Sequence, residues 1–124
     1  MQHRDPRVAR GRAAEAAAVR FLSGRGYEII ARNVWLCGAE LDVVARDGDV
    51  VVFVEVRSRS NRRFGTPAET VRTRKILRVA RAARAYLALN GQSHALSRFD
   101  VVGVDMTSGT PVCTLVRSAF ESPF

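Results

Sequence analysis

Lysine is nearly absent from this sequence. Of 20 basic residues Lys75 is the only lysine and the other 19 are arginines. Cysteine is scarce as well. Cys37 and Cys113 form neither a CxxC pair nor a framework, which excludes a disulfide-stapled secreted scaffold and points to a reduced, cytoplasmic setting. No apolar run approaches the roughly 20 residues of a membrane span, so no membrane partner is expected. Arg4, Arg7, Arg10, Arg12 and Arg20 interrupt any secretory core near the start. Internal repeats, low-complexity stretches and a glycine-rich phosphate loop are all missing, which removes solenoid, collagenous and ATP-loop readings. What is present is 124 residues, 47% apolar and 26% charged, the composition of one globular domain. A chain of this length buries about two-thirds of its unfolded surface and needs no staples. Its net charge of +8 favours phosphate-bearing partners.

Residues 1–9 carry no apolar period and read as a flexible lead to a single domain over residues 10–124. From about Arg10 to Arg25, Ala14, Ala18, Phe21 and Leu22 form a helical stripe that Gly24 and Gly26 end. Strand-like runs follow at Tyr27–Trp35, Glu40–Arg46 and Val50–Arg59, the last two flanking an Asp47-Gly48-Asp49 hairpin signal. Thr66, Pro67 and Glu69 suit the start of a long helix to Leu89, with Ile76, Val79, Ala80, Ala83, Tyr86 and Leu87 inward. Strands at Phe99–Asp105 and Val112–Arg117 complete the chain. This order predicts an α/β fold, a mixed five-stranded sheet flanked by helices, with Val51-Val52-Phe53-Val54 in the central strand.

Three acids interrupt strands that otherwise read as core: Glu40, Asp42 and Glu55. A two-residue turn at Asp47-Gly48 sets Glu40 opposite Glu55 and Asp42 diagonal to it, and alternation projects Glu40, Asp42, Glu55 and Arg57 from one face. A four-residue loop keeps this parity, whereas a three-residue loop breaks it. Gathered carboxylates repel and need positive charge, either from Arg57 and its neighbours or from a divalent cation with hard oxygen ligands. An ordinary edge hairpin with solvated acids stays open beside the metal site. His3 and His94 have no partner nucleophile and read as surface residues; the two cysteines read as small hydrophobes.

The basic excess is uneven. Residues 57–84 hold ten cations and one acid, Glu69, while the remainder holds ten cations and eleven acids. Arg59, Arg62 and Arg63 leave the acid-bearing strand directly, and Arg74, Arg78 and Arg81, with Lys75 beside them, make a ridge on the long helix. One reading is a solvated helix face. The other is a surface that tracks a nucleic-acid backbone, with Trp35 and Phe64 the nearby aromatics able to stack, and shape and phosphate rather than base edges recognised.

The strings Gly11…Glu15-Ala16-Ala17, Gly26-Tyr27-Glu28-Ile29-Ile30-Ala31-Arg32-Asn33, Gly38-Ala39-Glu40-Leu41-Asp42-Val43-Val44-Ala45 and Val52-Phe53-Val54-Glu55-Val56-Arg57-Ser58-Arg59 resemble the YraN family. So do Phe64-Gly65-Thr66-Pro67, Lys75 and Arg98-Phe99-Asp100-Val101-Val102, in order over about three-quarters of the chain. The resemblance implies a restriction-endonuclease-like fold similar to Holliday-junction resolvases, with a divergent PD-(D/E)XK site. Asp42 and Glu55 would be the metal-ligating acids, with the Val56 carbonyl a third ligand, for Mg²⁺ or Mn²⁺. Glu40 falls at the family's Gly-Glu-Ile-Asp glutamate, though Gly38-Ala39 departs from that string. Glu15 matches an acid that such nucleases add from the first helix, or is a solvated helix charge. Arg57 stands at the family's lysine. An arginine cannot give up its proton as a desolvated lysine can, although it still neutralises acids and grips a phosphate oxygen. The implied function is binding of nucleic acid, DNA above all, with metal-dependent phosphodiester hydrolysis. The alternatives are a catalytically silent nucleic-acid-binding module and a protein-interaction module. Resolvase-like folds often act as homodimers.

Overall fold

A computed structural model describes residues 6–59 and 73–122. Among the described residues seven elements follow one another: α1 (Pro6–Gly24), β1 (Glu28–Leu36), β2 (Ala39–Asp47), β3 (Val50–Arg59), α2 (Thr73–Leu89), β4 (Ser97–Asp105) and β5 (Val112–Phe120). This is the expected order. The five strands form one sheet in the order β1-β2-β3-β4-β5, antiparallel except for the parallel pair β3 and β4, whose connection carries α2. The α/β class and the mixed five-stranded sheet flanked by helices stand as expected. Strand β3 is central, and its run from Val51 to Glu55 is buried on both faces.

Helix α1 starts at Pro6, so residues 6–9 of the lead expected to be flexible are helical. Proline suits the first helical position because its missing N–H has no intrahelical partner there. The helix lays Ala14, Ala17, Ala18 and Leu22 against Val43, Ala45, Val52, Val54, Val102 and Val104. On the opposite face α2 lays Val79, Ala80, Ala83 and Leu87 against Leu41, Val44, Val51, Phe53 and Phe99. Phe53 meets Tyr86 of α2 edge-on at 6.0 Å, a contact that seats the helix on the sheet, and packs beside Phe99 of β4 at 5.6 Å. The expected helix start at Thr66, Pro67 and Glu69 lies outside the described residues. Among the described residues no helix is long and apolar enough to cross a membrane.

The hairpin register differs from the expected one by two residues. Asp47 pairs with Val50, so the turn is Gly48-Asp49, and Val43 pairs with Val54. Glycine is the residue that carries the positive φ this turn needs (60°), the pattern of a type II′ turn, and Asp47 stays in the strand. The β1–β2 turn is of the other primed type. Leu36 pairs with Ala39, and Cys37 (φ 53°) and Gly38 (φ 72°) are both left-handed. Cys37 is thus exposed in a turn and not the buried hydrophobe expected, while both cysteines are free. Asparagine tolerates this conformation better than cysteine and leads Asn-Gly type I′ turns. Cys37→Asn is expected to raise stability by about 0.5 kcal/mol, read as a rise of a few degrees in Tm.

Candidate functional site

Alternation fails in β1 and β2 together. Ala31 and Val34, three apart, both pack on the α2 side, and so do Leu41 and Val44, although period two would put each pair on opposite faces. Asn33 lies inside the first break with φ 53°, and Asp42 lies inside the second. The β2–β3 ladder ends at Val43↔Val54, one step before Asp42 would face Glu55. In place of a backbone carbonyl, the Asp42 carboxylate accepts the Val56 N–H at 2.9 Å. Asp42 thereby occupies the fork where the two strands part.

Acids reach it from both faces. On the α1 side, carboxylate oxygens of Glu15, Glu40 and Asp42 all lie within 4.8 Å of one another. Glu15 is aimed there from α1 by Asn33, whose Nδ2 donates to Oε1 at 2.8 Å, with Arg32 at 3.9 Å. On the α2 side Glu55, 2% exposed, lies against Asp42 in a small recess lined by Leu41, Phe53 and Val79. Burial, then the charge of Glu55, pushes the Asp42 carboxyl up to about 7. Burial, then contact with Asp42, raises Glu40 as well. Among the described residues Glu55 Oε1 has no hydrogen-bond partner and Oε2 is met by an ion pair from α2, so one oxygen of the gathered acids is left without a donor.

The expected residues therefore separate into groups. Glu15, Glu40, Asp42 and Glu55 converge, with Asp42 as their hinge. The expected pairing of Glu40 with Glu55 does not hold: the register sets Val44 opposite Phe53 and stops at Val43 opposite Val54, because the turn moved by one residue. Glu55 and Glu40 also approach Asp42 from opposite faces, whereas one face was expected, because alternation breaks at Asp42. Arg57, half-buried, follows Glu55 on the α2 face, since Val56 between them packs on the α1 side. Arg59 pairs with Asp105 at 3.1 Å, so part of its charge is spent on β4. Arg74, Arg78 and Arg81 form the exposed ridge expected. Arg62, Arg63 and Phe64 lie outside the described residues. His94 is exposed, as expected.

Lys75 departs from its expected place. Its Nζ lies 2.9 Å from Glu55 Oε2, in the site and not on the ridge. Helical spacing explains why. Lys75, Val79 and Ala82 share one line on α2, and Val79 and Ala82 are buried, whereas the three ridge arginines share an exposed line. That spacing, and the chain's sole use of lysine, were signals available in the sequence. Asn33 was missed too, and nothing local marks it.

The sequence pattern of uncharacterised protein family UPF0102 matches residues 14–104. A UPF0102 protein of Symbiobacterium thermophilum is 48% identical over 113 residues, covering 90% of this chain and 96% of that one. One from Anaeromyxobacter sp. (strain Fw109-5) is 46% identical over 115 residues, covering 93% and 86%. One from Moorella thermoacetica is 47% identical over 95 residues, covering 77% and 79%. The match spans both strands of the acid-bearing hairpin, α2 and its lysine. The chain belongs to the UPF0102 family, the YraN family that its motifs resemble.

Proposed function

We propose that this chain binds nucleic acid, DNA above all, and hydrolyses phosphodiester bonds with a divalent cation in a restriction-endonuclease-like fold. The observation that carries the reading is Asp42 at the fork of β2 and β3, with acids converging on it from both faces and its carboxyl raised to about 7. Carboxylates held this way without full hydrogen bonding suit a hard cation that takes oxygen ligands, so the donor set fits Mg²⁺ or Mn²⁺. Asp42 and Glu55 would hold it, with the Val56 carbonyl, Glu15 and Glu40 as further oxygen donors. Such an ion supplies Lewis acidity and a more acidic bound water.

The protein's own groups do the rest. The Val56 N–H fixes the Asp42 carboxylate in the fork. Asn33 fixes that of Glu15. Lys75 delivers from α2 the ammonium that β3 lacks, since Arg57 stands where the family has lysine. Arg57 adds a fixed positive charge on the same face for the charge that grows on phosphorus during attack. Arg74, next to Lys75 in the chain, begins an exposed ridge that continues through Arg78 to Arg81 and suits successive backbone phosphates.

A second reading has one observation in its favour: Lys75 already neutralises Glu55, as a resident cation would in a silent binding module. A cleavage panel separates the two. Branched, nicked, duplex and single-stranded DNA are incubated with Mg²⁺, Mn²⁺ or EDTA, and binding is followed in parallel against salt. The nuclease reading expects cleavage that EDTA stops, and binding whose log-log salt slope is about −2.7 if three arginines meet duplex phosphates. Intact substrates throughout, with binding unchanged by EDTA, would leave the silent module.

A further inference from the structure

Trp35 is 68% exposed, beside the acid cluster. We infer that it is a stacking platform for one unpaired base next to the hydrolytic centre, so that the preferred substrate has single-stranded or unstacked nucleotides there. This rests on the nucleic-acid reading above and specifies which form of it the site takes.

Position is the first support. Trp35 pairs with Glu40 across β1 and β2, and cross-strand partners project from the same face with Cβ atoms about 5 Å apart. Glu40 belongs to the three-acid group. A nucleotide whose phosphate reaches those acids therefore has its base within reach of the indole.

Rigidity is the second. Val34 and Leu36, on either side, pack into the α2-side core, so alternation turns Trp35 outward. The segment is pinned at both ends: Asn33, left-handed, is tied to Glu15 at 2.8 Å, and Cys37-Gly38 closes a tight turn. The backbone that presents the indole is thus fixed, so only the side chain's own rotamer freedom is left to lose on stacking.

Charge is the third. Arg32 lies three residues before Trp35, partly exposed and 3.9 Å from Glu15, and can meet a phosphate on this face. A flat π surface flanked by Arg32 and the acid cluster fits a base whose own face is free, and stacked duplex bases have no free face. Stacking reads no base edges, in keeping with the phosphate-and-shape surface on α2.

Trp35 is the only tryptophan in the chain, so intrinsic fluorescence reports on it alone. The full chain is titrated in Ca²⁺ with labelled oligothymidylate of about 12 nucleotides and with a duplex of equal length, following tryptophan emission and label anisotropy together. The expected result is quenching by the single strand at the concentrations where anisotropy rises, with little change for the duplex. Trp35→Ala should weaken single-strand binding about 5- to 150-fold and duplex binding less than about twofold, while Trp35→Phe keeps most of the affinity. Circular dichroism checks that both variants fold.

Anisotropy that rises without quenching, with Trp35→Ala unchanged, would overturn the stacking role and leave nucleic-acid binding standing. Emission that shifts with protein concentration alone would assign the indole to a contact between copies, which also overturns it. No anisotropy change with either probe would sink the nucleic-acid reading and the platform with it.

Discussion

Asp42→Asn is expected to be more stable than the parent protein in EDTA at pH 8, while its cleavage in Mg²⁺ falls on the order of 10³-fold. The two effects have one cause. Burial and the charge of Glu55 raise the Asp42 carboxyl from 3.8 to about 7 in the folded chain. In the unfolded chain it titrates near its ordinary value. Below pH 4 both states carry the proton and nothing is lost. Between about pH 4 and 7 the unfolded state releases its proton and the folded state does not, so stability falls as pH rises. A tenfold change in proton affinity is worth about 1.4 kcal/mol, which puts the loss on the order of 2–4 kcal/mol once Asp42 is charged. Asparagine keeps an oxygen for the Val56 N–H and carries no charge. Its advantage should therefore vanish near pH 4 and be complete by about pH 8 in urea denaturation. Mg²⁺ should offset that advantage, stabilising the parent by about 2.7 kcal/mol at a hundredfold excess over Kd, and reverse it near a thousandfold excess, where the gain reaches about 4.1 kcal/mol, with the variant gaining much less. Equal stabilities at pH 8 in EDTA would mean that the fork places no penalty on Asp42.

Much of this arrangement was legible because apolar pattern and chain direction fix it. The Val50–Arg59 run was central because a strand apolar on both faces has to be covered on both. That Glu40, Asp42 and Glu55 lie close together followed from their places in the hairpin, but the common face that parity assigned them did not survive the break in alternation at Asp42. The register itself was not legible. Asp47-Gly48 and Gly48-Asp49 are both acceptable turn centres, and tertiary contacts chose between them: in the strand, Asp47 accepts from Arg98 at 2.8 Å and Arg117 at 3.0 Å. The break at Asn33 and Asp42 was also hidden, because it depends on β1, β2 and β3 meeting. Lys75 lay in the open, on the line of Val79 and Ala82, yet the surrounding arginines masked it.

Asp100 makes the opposite use of the same device, and the comparison separates a structural acid from a functional one. At the irregular stretch between β4 and β5 its carboxylate accepts the Ser118 N–H at 2.9 Å, as Asp42 accepts that of Val56. Asp100 is 0% exposed and also receives Tyr27 Oη at 3.1 Å and Arg98 Nε at 3.0 Å. Arg98 continues to Tyr27 and Asp47, so the network ties the α1–β1 connection, β2, β4 and β5 at the end of the sheet where the β2–β3 hairpin closes. Every acid there has a donor, whereas Asp42 has one backbone N–H and acids for neighbours. Removing a fully satisfied buried acid strands its partners. Asp100→Ala is expected to cost about 3–5 kcal/mol, a large share of the 5–15 kcal/mol typical of a domain. That corresponds to a fall in Tm of about 10–20 °C, with Asp100→Asn intermediate because it keeps an acceptor for Ser118. For whatever fraction remains folded, nucleic-acid affinity and cleavage per molecule should match the parent. A loss below about 1 kcal/mol in urea denaturation would show that Arg98 finds full compensation at Asp47. A loss of cleavage in cold, folded Asp100→Asn would move this network from scaffold into the site.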